Sequence, residues 1–97
     1  MKTKKDNIIN FATQLYLHST KCDNLVDVKN LALFNAKYNK IACTFNSITI
    51  TVENYAIRVS IPGIEIDNLD YNELELIFKL AESMKNIIDS EEDGELY

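Results

Sequence analysis

The sequence predicts an α+β protein, an antiparallel β-meander of three to four strands with an N-terminal and a C-terminal helix packed on one face. Three observations carry this expectation. Large apolar residues alternate with polar ones from Ile41 to Ile61, which is the period of a half-buried strand. A stripe of 3.6-residue spacing precedes that region near the N-terminus, and a longer one follows it from Leu69 onward.

Asp6 to about His18 reads as an amphipathic helix. Ile8, Ala12, Leu15 and Tyr16 share one face with Phe11 beside them, Asp6 serves as N-cap, and His18 and Lys21 suit the negative C-terminal end. Residues 23–39 carry two patterns. Leu25, Val28, Leu31 and Ala32 fit a helix, whereas the unbroken apolar run from Leu31 to Phe34 fits a strand. The reading adopted is a strand over 31–38, preceded by a short helical turn and reversing at Tyr38-Asn39-Lys40.

From Ile41 the period is two. Ile41, Cys43 and Phe45 form one set, Ile48, Ile50 and Val52 a second, and Tyr55, Ile57, Val59 and Ile61 a third. The phase slips at Asn46-Ser47, so a bulge or turn is expected there. A two-residue loop at Glu53-Asn54 sets Val52 opposite Tyr55, Ile50 opposite Ile57 and Ile48 opposite Val59. That register gathers the large apolar residues on one side. The other face carries Thr49, Thr51, Glu53, Ala56, Arg58 and Ser60 and can meet water. Pro62-Gly63 suits the centre of a type II turn, and Ile64 to Asp67 adds a short extended piece.

The last helix has a complete start signal: Asp70 as N-cap, Glu73 three residues on, and Leu69 with Leu74 as a hydrophobic staple. Leu74, Ile77, Phe78, Ala81, Met84 and Ile88 make its apolar stripe. Glu75, Lys79, Glu82, Asn86 and Asp89 make its outer stripe, and the helix is expected to end near Asp89. Residues 1–97 form one small domain, with 90–97 an acidic, frayed tail.

Composition narrows function more by exclusion than by pointing. The chain holds one histidine, two cysteines, two glycines and no tryptophan. Phosphate-cradling glycine loops, paired metal-ligand spacings and nucleophile motifs are missing, so a non-catalytic protein without cofactor or metal is expected. Two cysteines are too few for a disulfide scaffold, and neither a secretory stretch nor a membrane-length apolar run follows Met1. Together these predict a cytoplasmic protein, in a bacterial or phage-infected cell if the Lys-, Asn- and Ile-rich usage reflects AT-rich codons.

Charge is split along the chain. Residues 1–52 hold seven lysines against three aspartates, net +4; residues 53–97 hold twelve acids against three basic residues, net −9. The expected partner is therefore a protein with a basic surface. The expected binding face is Glu75, Glu82, Asp89, Glu91, Glu92, Asp93 and Glu95, acting as a carboxylate array that steers association and imitates phosphate spacing. Inhibitors of nucleic-acid-handling proteins carried by phages and mobile elements, anti-CRISPR proteins among them, are one class this suits. A homodimeric assembly subunit is the alternative, because Tyr71, Leu76, Leu80 and Ile87 widen the apolar surface of the last helix. Direct nucleic-acid binding through the N-terminal lysines ranks below both, given the net charge of −5, one arginine and no aromatic residues on the polar sheet face.

Overall fold

A computed structural model describes the backbone over 3–19 and 25–92, with side chains over 3–19 and 25–87. Helices α1 (Lys4–His18) and α2 (Leu25–Tyr38) precede strands β1 (Ala42–Phe45), β2 (Ile48–Glu53), β3 (Ala56–Ile61) and β4 (Ile64–Leu69), and helix α3 (Tyr71–Glu92) follows. The strands pair antiparallel in the order β1-β2-β3-β4. The α+β meander with helices at both ends is thus present, with one helix more than expected.

That extra helix corrects the strand expected over 31–38. In α2 the buried residues are Leu25, Val28, Ala32 and Asn35, a helical spacing. As a strand, the segment has no clean side, since Leu31, Ala32, Leu33 and Phe34 are apolar on both. The sheet supplies the reason for the helix. α1 and α3 contact β4, while α2 contacts β1 and β2, where Ile48 and Ile50 are buried to within 2% of full exclusion. Without α2 those isoleucines would face solvent. The reversal expected at 38–40 is real and ends α2: Asn39 adopts φ 56° and the Lys40 amide donates to the Asn35 carbonyl at 3.0 Å, closing a Schellman motif.

α1 starts two residues earlier than expected. Thr3 is its N-cap, and Asp6 is the N3 partner in a capping box, its Oδ2 accepting from the Thr3 amide at 3.2 Å while Thr3 Oγ1 accepts from the Asp6 amide at 3.1 Å. At α3 the expected cap is found: Asp70 Oδ1 accepts from the Glu73 amide at 2.7 Å, and Glu73 Oε1 from the Asp70 amide at 3.0 Å. Leu69 and Leu74 on either side of that cap are both buried. The helical backbone continues to Glu92, three residues past the expected end.

The slip at Asn46-Ser47 is a two-residue turn, with φ 49° and 72°, that sets Phe45 opposite Ile48 on one face. The next hairpin corrects the expected register. Its loop is Asn54-Tyr55, with φ 52° and 65°, and not Glu53-Asn54, so Val52 faces Ile57 and Ile50 faces Val59. Moving the loop by one residue moves the pairing by two, which keeps every apolar side chain on its face. Alternation alone therefore cannot separate the two registers. Tyr55 consequently leaves the apolar set and stands 89% exposed in a turn whose two positive φ values favour glycine at its position. Tyr55→Gly is expected to raise stability by about 1 kcal/mol, measured by urea denaturation. A loss of stability would mean that Asn54-Tyr55 is not the turn.

Pro62-Gly63 closes the third hairpin, with Gly63 at φ 87°. In β4 a register shift opposite Ile57–Val59, with Asn68 at φ 62°, lets Asp67 and Asn68 both face outward and returns Leu69 to the core. Four asparagines thus occupy left-handed positions in a chain with only two glycines. The buried strand residues Ile48, Ile50, Val52, Ile57, Val59, Ile61, Ile66 and Leu69 share the helix-covered face with Phe11, Leu15, Leu25, Val28, Leu74, Ile77 and Phe78.

Candidate interaction surface

Of the expected acidic face, the side chains of Glu75 and Glu82 are described, and Glu82 is paired within the fold. Glu82 Oε1 lies 3.5 Å from Lys29 Nζ of α2, and both Glu82 and Glu75 are half-buried. Their heptad spacing puts them on one flank of α3, the flank turned toward α2. The exposed face of α3 instead carries Asn72, Leu76, Lys79, Ser83, Asn86 and Ile87. On the α1 side Glu73 Oε1 meets Lys4 Nζ at 2.9 Å. Asp89, Glu91 and Glu92 lie on the helical backbone beyond the described side chains, and Asp93 and Glu95 lie outside the described residues.

The apolar widening of α3 is not continuous. Leu80 packs against the core, and the exposed Leu76 and Ile87 stand three turns apart with Lys79 and Ser83 between them.

A contiguous apolar surface lies instead on α2, which the strand reading had obscured. Leu31, Phe34 and Tyr38 are 38–57% exposed, and Ile41, where the chain enters β1, is 78% exposed. The Phe34 and Tyr38 rings pack at a 45° tilt with 4.8 Å between centroids, and Lys37 Nζ sits 5.6 Å from the Tyr38 ring centre. Helix geometry fixes where this stripe points. Lys29 marks the side of α2 that faces α3. Two, five and nine residues on from it, Leu31, Phe34 and Tyr38 are turned away by roughly 200°, 140° and 180°. They therefore overhang the side away from α3, where β1 is the outer strand of the sheet.

The two sheet edges differ. β4 carries Glu65 and Asp67, is bent by its bulge, and has the Asn68 carbonyl taken by Lys4 Nζ at 2.8 Å. These are the devices that keep an edge from recruiting another strand. β1, with the sequence Ala-Cys-Thr-Phe, has no charge, proline or bulge.

The polar face of the sheet offers less. Arg58 and Asp67 approach to 4.0 Å beside a shallow cleft also lined by Thr51, Glu53 and Asn68, and elsewhere on this face the Thr44 and Thr49 hydroxyls lie 3.3 Å apart. His18 is exposed at the end of α1, and Cys43 is partly buried with its thiol free. Among the described residues no three His, Cys, Asp or Glu side chains gather as metal ligands, and no helix is long and apolar enough to cross a membrane. No family model matches the chain, and no curated protein or solved structure matches it significantly.

Proposed function

We propose that this is a small non-catalytic protein-binding protein that works through the apolar stripe of α2 and the adjoining edge of β1. The observation that carries the reading is the row of exposed apolar side chains Leu31, Phe34 and Tyr38 along one face of α2, followed by the exposed Ile41 where the chain enters an unguarded edge strand. Single exposed apolar residues are ordinary, but a contiguous group next to unpaired backbone donors and acceptors is what binding surfaces are made of. Aromatic side chains already packed against one another also lose little rotamer freedom on binding. The test is affinity capture from a lysate of the native host. Phe34→Lys, a change at a half-exposed position, is expected to keep the fold and lose the captured protein. Equal capture by both chains would overturn the reading.

The acidic end of α3 supports a second reading, in which the protein occupies a basic groove of a nucleic-acid-handling protein. The observation in its favour is that the helix runs on to Glu92, so Asp89, Glu91 and Glu92 are carried on helical backbone and not on a frayed tail. It stands second because Glu82 is committed to Lys29. Replacing Asp89, Glu91, Glu92, Asp93 and Glu95 by their amides is expected to slow association with such a partner several-fold at low salt, with the difference shrinking as salt rises. Unchanged rates at low salt would make these acids a solubility device only.

A further inference from the structure

We propose that the partner seated on the β1 edge is a second copy of this chain, paired strand to strand about a two-fold axis through Cys43. This rests on the α2–β1 surface described above and names its occupant.

The register comes from the backbone. The Val52 amide donates to the Ile41 carbonyl at 3.0 Å, so Ile41, and by alternation Cys43 and Phe45, turn their backbone groups toward β2. Ala42 and Thr44 then direct their N–H and C=O groups out of the sheet. Two antiparallel copies satisfy all of these groups when Ala42 of each faces Thr44 of the other, which makes four new hydrogen bonds and an eight-stranded sheet. A strand this short, with no side chain to repel its own copy, is self-complementary in that single arrangement.

The helix layer agrees with the same axis. The turn at Asn39 sends β1 back beneath α2. Counted from the two ends of that turn, Tyr38 and Ile41, Cys43 lies two strand residues on at about 3.3 Å each and Phe34 four helical residues back at about 1.5 Å each, which brings the two level. An axis through Cys43 therefore sets Phe34 against its own copy, with Leu31 of each helix beside Tyr38 of the other. Lys37 of the two copies is carried to opposite ends of the contact. Half-exposed aromatic side chains present on the order of 100 Å² each. With Ile41, Leu31 and the strand edge, each copy contributes on the order of 600 Å², or about 1,200 Å² in all, the lower bound of a stable specific interface. The expected dimer is therefore reversible, forming at micromolar concentration.

Light scattering on size-exclusion chromatography is expected to show twice the 11.1 kDa chain mass at tens of micromolar, falling toward one on dilution. Thr44→Pro removes an outward N–H that β2 does not use, so the monomer's ladder survives while association weakens at least tenfold. Phe34→Lys does the same from the helix layer, and far-UV circular dichroism checks that both variants fold. The axis has its own readout. Opposed residues in a non-hydrogen-bonded pair have Cα atoms about 4.5 Å apart, within disulfide reach. In a Cys22→Ser background, oxidised glutathione, accepting the two electrons, is expected to link Cys43 to its copy. Cross-linking only in chains that still contain Cys22 would overturn the axis. A strict monomer near millimolar concentration, or folded variants that dimerise as the parent does, would overturn the second copy. The capture experiment with Phe34→Lys would still decide whether the surface binds another protein.

Discussion

Phe78→Ala is expected to lower the free energy of unfolding by about 3–5 kcal/mol, the range for removing a fully buried phenylalanine. Phe78 is 1% exposed on α3 and belongs to the core that α3 shares with α1, α2 and the sheet. Its ring is among the largest fully buried side chains, and a packed core relaxes only partly around the cavity that its removal leaves. A domain of this size has about 5–15 kcal/mol in total, so the variant should sit near the edge of folding at 37 °C. Thermal and urea unfolding measure the loss. Ile87→Ala on the same helix, at a 59% exposed position, should change stability by less than about 0.5 kcal/mol. Similar losses for the two would show that α3 does not lie on the sheet as described.

Ile50→Ala and Thr51→Ala should differ by more than about 2 kcal/mol, though the residues are neighbours on β2. Ile50 is 2% exposed, between Cys43 and Val59 on the helix-covered face. Thr51 lies on the other face between Ala42 and Arg58. Its replacement removes strand propensity and little packing, about 1 kcal/mol or less. Paired urea titrations decide it, and equal costs would mean that both faces of the sheet are covered.

Local chemistry sufficed wherever one arrangement satisfied it. Asp70, Glu73, Leu69 and Leu74 make a helix start that needs no distant partner, and Pro62-Gly63 makes a turn for the same reason. The alternation from Ile48 to Ile61 determined which side chains go inward, with Tyr55 the exception. Parity is blind to a shift of the pairing by two, however, and so the loop at Asn54-Tyr55 was decided by the assembled sheet. Asn39, Asn46 and Asn54 take positive φ in or beside turns that the sequence already marks, whereas Asn68 takes it at a bulge that only the assembled sheet reveals.

The largest decision left to tertiary structure was α2. Its apolar run contents both a helix and a strand locally, and the choice falls to the uncovered half of the sheet above Ile48 and Ile50, which a helix can bury and a fifth strand could not. The interaction surface followed from that choice. Leu31, Phe34 and Tyr38 become neighbours only at helical spacing, and the acids of α3 read as a free stripe until α2 places Lys29 beside Glu82. The sequence alone determined the plan of a meander between terminal helices and, apart from Ile41 and Tyr55, the inward set of strand residues, because caps, turns and alternation act over a few residues. Which apolar residues remained outside was decided by tertiary packing, since that depends on how much of the sheet the helices cover.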